Sequence, residues 1–154
     1  MNRDEDLSAE RAHRIADAVD EIERNVSRLQ DLQPLSRSEY KADGKQDLRD
    51  ATERKFEKTT EAVLDIAETI LKLESESVPG RRKETITALE DRTVIDSNLA
   101  DRLREAVEFR DVLSHTYGPI VNDDIVYDSL QNALDRYVEF VEAVSEYLES
   151  LSDT

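Results

Sequence analysis

The stretch NDDIVYDSLQNALDRYVEFVEAVSEYLESL, residues 122–151, decides the fold class. Leu130, Tyr137, Val144 and Leu151 recur every seven residues, and Tyr127, Leu134, Val141 and Leu148 form a second series at the same interval. Seven residues are about two turns of α-helix. A paired repeat of this kind marks a face that packs against other helices. Asn122 or Asp123 is expected to cap this last helix, with acids in its first turn where the helix dipole favours them. Asp123 and Asp124 point apart on a helix, so they read as helix-terminus charges and not as metal ligands.

The same period runs upstream. Ile15, Val19, Ile22, Val26, Leu29 and Leu32 share one face of a first helix over about 8–33, capped by Asp6 or Ser8 and stopped by Pro34, with residues 1–7 frayed. His13 lies off that face and reads as a solvated surface histidine. Residues 34–46 read as a polar connection. A second helix over about 47–74 carries Phe56, Val63 and Ile70, with Thr59, Ile66 and Leu73, and is expected to pack antiparallel on the first. Arg49, Arg54, Lys55 and Lys58 sit early on it, where pairing with nearby acids on a solvated face is the ordinary expectation. Residues 75–83 read as a loop with a Val78-Pro79-Gly80 turn and the basic run Arg81-Arg82-Lys83. A short helix over about 84–91 turns Ile86 and Leu89 inward. Asp96 or Ser97 then caps a helix over about 98–114, whose buried stripe is Leu99, Leu103, Ala106 and Val107, with Arg110 on its continuation. The expected fold is all-α: an antiparallel bundle of four to five helices formed by residues 1–154 as one domain.

Composition narrows the classes. Without cysteine there is no disulfide and no thiolate metal site. No apolar run approaches the ~20 residues of a membrane helix. The charged start MNRDEDLSAER is unlike a signal peptide, which points to the cytoplasm. The chain has 37 acidic against 21 basic residues, a net charge of −16. Such a balance opposes non-specific nucleic-acid binding, which rests on cations displacing phosphate counterions. It fits either a chain that binds no nucleic acid or one from a high-salt cytoplasm, where acidic surfaces keep proteins soluble. The excess of Arg over Lys favours the second reading, and an acidic total leaves room for a local basic site.

Chemistry concentrates in Phe109-Arg110-Asp111-Val112-Leu113-Ser114-His115-Thr116-Tyr117-Gly118-Pro119. At about 100° per residue, Arg110 and Tyr117 share a helix face while His115 points about 140° from Arg110. The three converge only if the chain leaves the helix near Ser114–Gly118, for which Gly118-Pro119 supplies the break, or if a second copy completes the site. An Arg, a His and a Tyr at a helix end also serve, more plainly, to cap carbonyls and satisfy one another.

The pattern Arg110-x4-His115-x-Tyr117 resembles the signature of the HEPN superfamily, and most closely its HepT-like branch. Asp111 stands where Asn is usual, and Ser114 where Val is usual. The resemblance extends to Arg54–Leu71, similar to the family's second helix, and to Val94-Ile95-Asp96 with Leu99-Ala100, similar to the lead-in to the motif helix. It covers most of residues 45–150. It implies a ribonuclease toxin that works as a homodimer with a composite site and is paired with a minimal nucleotidyltransferase (MNT) antitoxin. In that family the antitoxin can AMPylate the motif tyrosine, here Tyr117. The resemblance also singles out Arg54 as a residue that faces the motif and touches RNA.

Metal-free RNA cleavage needs a base for the 2′-hydroxyl, an acid for the leaving 5′-oxygen and positive charge for the phosphorane-like transition state. His115 suits the proton transfers and Arg110 the phosphate. A two-fold dimer brings two of each into one cleft. Asp111 is expected to orient Arg110 or the imidazole, and Tyr117 to help hold the substrate. No cofactor and no metal is expected. Two readings compete: a non-catalytic helical partner of a nucleotidyltransferase, and a helical interaction module with no site.

Overall fold

The computed structural model describes residues 3–114 and 122–152, without the side chains of 3–7 and 152. Among these it holds seven helices and no strand: α1 (Arg3–Leu32), α2 (Arg37–Lys41), α3 (Gln46–Leu73), α4 (Arg82–Asp91), α5 (Ser97–Leu113), α6 (Asp123–Asn132) and α7 (Asp135–Ser152). The all-α expectation holds. The five helical segments read from the sequence are present, and the two additional helices come from the connection after Pro34 and from a break in the last segment.

α1 and α3 form the antiparallel spine. Arg14 reaches Asp65 at 2.8 Å and Arg11 donates to the Lys72 carbonyl at 3.1 Å, so the start of one helix lies against the end of the other. Between them Ile15, Ile22 and Leu29 of α1 meet Phe56, Val63, Ile66 and Ile70 of α3, all essentially inaccessible. α1 begins at Arg3, so Asp6 and Ser8 lie inside it and neither caps it. His13 is exposed and faces Asp17 at 3.7 Å on its own helix, as expected of a surface histidine.

Two departures have local causes. In the connection, Ser36 and Glu39 exchange side-chain and backbone hydrogen bonds in a full capping box. Tyr40 then anchors the turn by burying its whole side chain, its ring 5.7 Å from that of Tyr127. A Ser36→Ala substitution removes the cap and is expected to cost about 1 kcal/mol in urea unfolding.

The last segment divides at Ala133-Leu134. In a continuous helix the Leu130 carbonyl would accept from the Leu134 N–H. Here the Gln33 side chain takes that carbonyl at 3.0 Å, while the Gln131 side chain donates to the Gln33 carbonyl at 2.8 Å. This clamp ties the end of α1 to the end of α6 and opens the helix. The seven-residue register survives the break: Leu130, Leu134, Tyr137 and Val144 are buried. Tyr137 also carries its hydroxyl to Thr60 of α3, 3.0 Å away in the core. Leu151, the last member of its series, is exposed.

α4 begins two residues earlier than the sequence suggests, so Arg82 and Lys83 belong to its first turn and not to a loop. Ile86 and Leu89 are fully buried, as expected. Asp96 caps α5 by accepting from the Leu99 N–H at 2.8 Å, and Asn122 caps α6 through Asp124 N–H at 2.9 Å. No helix among the described residues is long and apolar enough to cross a membrane.

Candidate active site

The site lies where the end of α5 meets the middle of α3. α5 is held on α3 by Leu103, Ala106 and Val107, all buried, and by Phe109, whose ring meets Phe56 edge-on at 5.3 Å. This packing fixes the rotation of the last turn. Arg110 therefore points along the helix interface, with its side chain 16% exposed. Its guanidinium donates to Glu61 of α3 at 3.0 Å and to Asp111 at 3.4 Å. Burial works against the charge, but the bonds to Glu61 and Asp111 outweigh it and hold the guanidinium above its ordinary value. Asp111 is shared with Arg82 of α4 at 3.1 Å. Asp111 thus lies between the guanidinium groups of Arg110 and Arg82.

α5 ends at Leu113, and Ser114 closes it with its N–H on the Arg110 carbonyl at 3.0 Å. The Ser114 hydroxyl reaches the Glu57 carboxylate of α3 at 3.4 Å. His115, Tyr117 and the Gly118-Pro119 break lie outside the described residues, so the expected convergence of Arg110, His115 and Tyr117 is not described. Both described flanks of that segment are tied to α3. Ser114 meets Glu57, and Asp123 on the far side lies 3.6 Å from Arg49.

Arg49, Glu57 and Glu61 of α3 make these contacts, and with Glu53 they recur every fourth residue along one side of the helix. Arg49 is buried and donates to the carbonyls of Tyr40 and Ala42 at 2.9 and 3.0 Å, so it is not on a solvated face as expected from its charge. Burial, then the charges of Asp50, Asp123 and Glu57, push the Glu53 carboxyl above its usual range. Glu57 and Glu61 do not stand out in the sequence by residue type. Their signal is positional: a charged residue at every fourth position of α3.

The remaining candidates fall elsewhere. Arg54, Lys55 and Lys58 turn toward α1, where with Asn25, Arg28 and Ala51 they line a groove. The expected ion pairing of these three does not occur: no carboxylate lies within 4.0 Å of them among the described residues. Of the acids beside them in sequence, Glu57 and Glu61 are engaged by Ser114 and Arg110. Arg82 and Lys83 of the basic run pair with Asp111 and Glu108 of the motif helix, and Arg81 is exposed. Asp124 pairs with Lys41 and Arg37, whose hydrogen bonds lower its carboxyl, which fits its reading as a helix-terminus charge.

Comparison with known proteins agrees with the fold. The family model Ribonuclease HepT-like matches residues 22–144. The chain is similar to the mRNA nuclease HepT of Shewanella oneidensis, 26% identical over 130 residues that cover 84% of this chain and 95% of that protein. Its fold matches a crystal structure of a toxin–antitoxin with AMP-PNP, at TM-score 0.78 and 25% identity over 87% of this chain and 98% of that one. It also matches a structure of tri-AMPylated Shewanella oneidensis HEPN toxin in complex with MNT antitoxin, at TM-score 0.77 and 25% identity over 95% of this chain and 99% of that one.

Proposed function

The chain belongs to the Ribonuclease HepT-like family, and we propose that it is a metal-independent endoribonuclease toxin, silenced by a nucleotidyltransferase antitoxin that AMPylates Tyr117. The observation that carries this reading is Arg110, fixed at the α3–α5 junction by Glu61 and Asp111 and followed at the family spacing by His115 and Tyr117. Relatives named as an mRNA nuclease and as an AMPylated toxin bound to its antitoxin support it.

In the reaction, a base removes the 2′-hydroxyl proton and the 2′-oxygen attacks phosphorus. The bond to the 5′-oxygen breaks, and an acid returns a proton to that oxygen. The products are a 2′,3′-cyclic phosphate and a 5′-hydroxyl. Histidine fits both proton transfers because its pKa lies near neutrality. One imidazole performs one of them at a time, so the cleft is complete only when a second protomer supplies another His115. The two Arg110 guanidinium groups hold the non-bridging oxygens. To reach them, each exchanges part of its bonding to Glu61 and Asp111 for phosphate. AMP on Tyr117 fills this cleft with bulk and negative charge.

The test uses purified dimeric protein and a labelled RNA pool in EDTA, before and after incubation with an MNT-type nucleotidyltransferase and ATP. Cleavage is expected before incubation and loss of cleavage after it, with AMP located on Tyr117 by mass spectrometry and a Tyr117→Phe protein that escapes silencing. No cleavage by dimeric protein with unmodified Tyr117, at low or molar KCl, overturns the reading in favour of a non-catalytic partner of the nucleotidyltransferase.

A further inference from the structure

We infer that the groove between α1 and α3 lined by Arg28, Arg54, Lys55 and Lys58 is a second RNA subsite, which holds the phosphate backbone of a single strand beyond the cleavage position. The inference rests on the ribonuclease reading above for its substrate class, and on three features of this surface for its location.

The first is charge. The chain carries −16 overall, and acids stand in its two larger cavities: Glu90, Glu139, Glu142 and Glu146 line the one between α4, α5 and α7, and Glu68, Glu84 and Asp111 offset Arg81, Arg82 and Lys83 in the one beside the start of α4. The groove of about 240 Å³ between α1 and α3 has four cations, Asn25 and Ala51 as its walls and no carboxylate. Arg28, Arg54 and Lys58 are exposed and Lys55 is half-buried. No carboxylate lies within 4.0 Å of any of the four among the described residues. Four unneutralised cations facing one another repel, so the arrangement favours an anion between them.

The second is position. α3 carries three of these cations and also Glu57 and Glu61, which touch Ser114 and Arg110. Arg54 and Glu61 are seven residues apart, about 10 Å along the helix. Lys58 lies between them on the helix axis, so the cations continue from Glu61 toward the start of α3.

The third is what the groove lacks. No aromatic side chain lines it, so it offers no platform for stacking bases. Apart from Ala51 it has no apolar wall, whereas protein interfaces centre on buried apolar anchors. Long cations without apolar anchors suit a phosphate backbone read without regard to sequence. In an acidic protein such a track supplies the local attraction that the overall charge denies.

The test is equilibrium binding of a fluorescent single-stranded RNA of roughly 20 nucleotides, longer than one such site, to the full-length protein carrying His115→Ala so that no cleavage intervenes. Arg54→Glu with Lys58→Glu is compared with Arg54→Lys with Lys58→Arg, each checked for helicity by circular dichroism. The charge-reversed protein is expected to bind about tenfold more weakly or worse, and its salt dependence to flatten by about 0.7 in log–log slope for each phosphate that is no longer neutralised. The charge-conserving protein is expected to bind like the parent. Equal binding and equal salt slopes in all three proteins overturn the inference, as does a charge-reversed protein that keeps RNA but no longer binds a nucleotidyltransferase. Cleavage of the same RNA by protein with His115 intact is scored separately. Cleavage together with equal binding removes the subsite and leaves the ribonuclease reading standing, whereas no cleavage removes that reading, whatever the binding shows.

Discussion

RNA cleavage by an Arg110→Ala protein is expected to fall about 10²- to 10³-fold, the usual loss when one preorganised donor to a developing charge is removed. The guanidinium is held by Glu61 and Asp111 at the end of a packed helix, so its position is set before substrate arrives. Arg110→Lys is expected to recover little, because an ammonium cannot present two parallel N–H groups to two oxygens. His115→Ala belongs to the same prediction and is expected to cost about 10²- to 10⁴-fold, the range for a general acid–base group. Glu61 is 43% exposed, so water can solvate it once Arg110 is gone. The fold should therefore lose roughly 1 kcal/mol or less with the ion pair. Single-turnover cleavage and urea midpoints measured on the same preparations separate the two effects. A large loss of rate with a nearly unchanged midpoint assigns Arg110 to the chemistry. Cleavage at the parental rate by either variant removes that residue from the mechanism.

Phe56→Ala is expected to lower the unfolding free energy by about 3–5 kcal/mol. Phe56 is fully buried in α3 and meets Phe109 edge-on at 5.3 Å, at the point where α3 supports the motif helix. Its loss leaves a cavity beneath the last two turns of α5. Against a total stability of about 5–15 kcal/mol, this is a large share. Urea unfolding should show a lower midpoint at an unchanged slope. Phe56→Leu, which keeps most of the volume, should cost less. A shift below about 1 kcal/mol for the alanine protein would mean that the surrounding side chains collapse into the space.

The helices were legible because their apolar faces repeat at helical spacing. Ile15 to Leu29 and Phe56 to Ile70 follow that spacing, and their burial agrees with it. The break at Ala133-Leu134 was hidden for the same reason. The apolar series runs through it in register, and its cause is a side chain, Gln33, nearly a hundred residues away in sequence. The helix at Arg37–Lys41 had a readable signal in Ser36 and Glu39, which a Pro34-containing polar run concealed. At the site, the motif was visible as residue types at a spacing, but not the partners that give Arg110 its orientation. Glu61 lies 49 residues earlier. Only the packing of α5 on α3 brings it to the guanidinium. The α1 side of α3 was equally out of reach, since which cations find acids depends on which helix faces which.

The stripe Arg49-Glu53-Glu57-Glu61 makes α3 a ruler for the chain's tolerance of insertion and deletion. One residue added between Glu53 and Glu57 rotates everything beyond it by about 100°. Arg49 and Asp123 would stay together while Glu57 and Glu61 swung away from Ser114 and Arg110, so the two flanks of the motif segment would lose their common reference. Lengthening the turn at Ser75–Arg81 rotates nothing on that stripe. Changes in chain length across relatives should therefore collect in that turn and avoid the interval from Arg49 to Glu61, a pattern that records the geometry of cleavage in the positions of gaps.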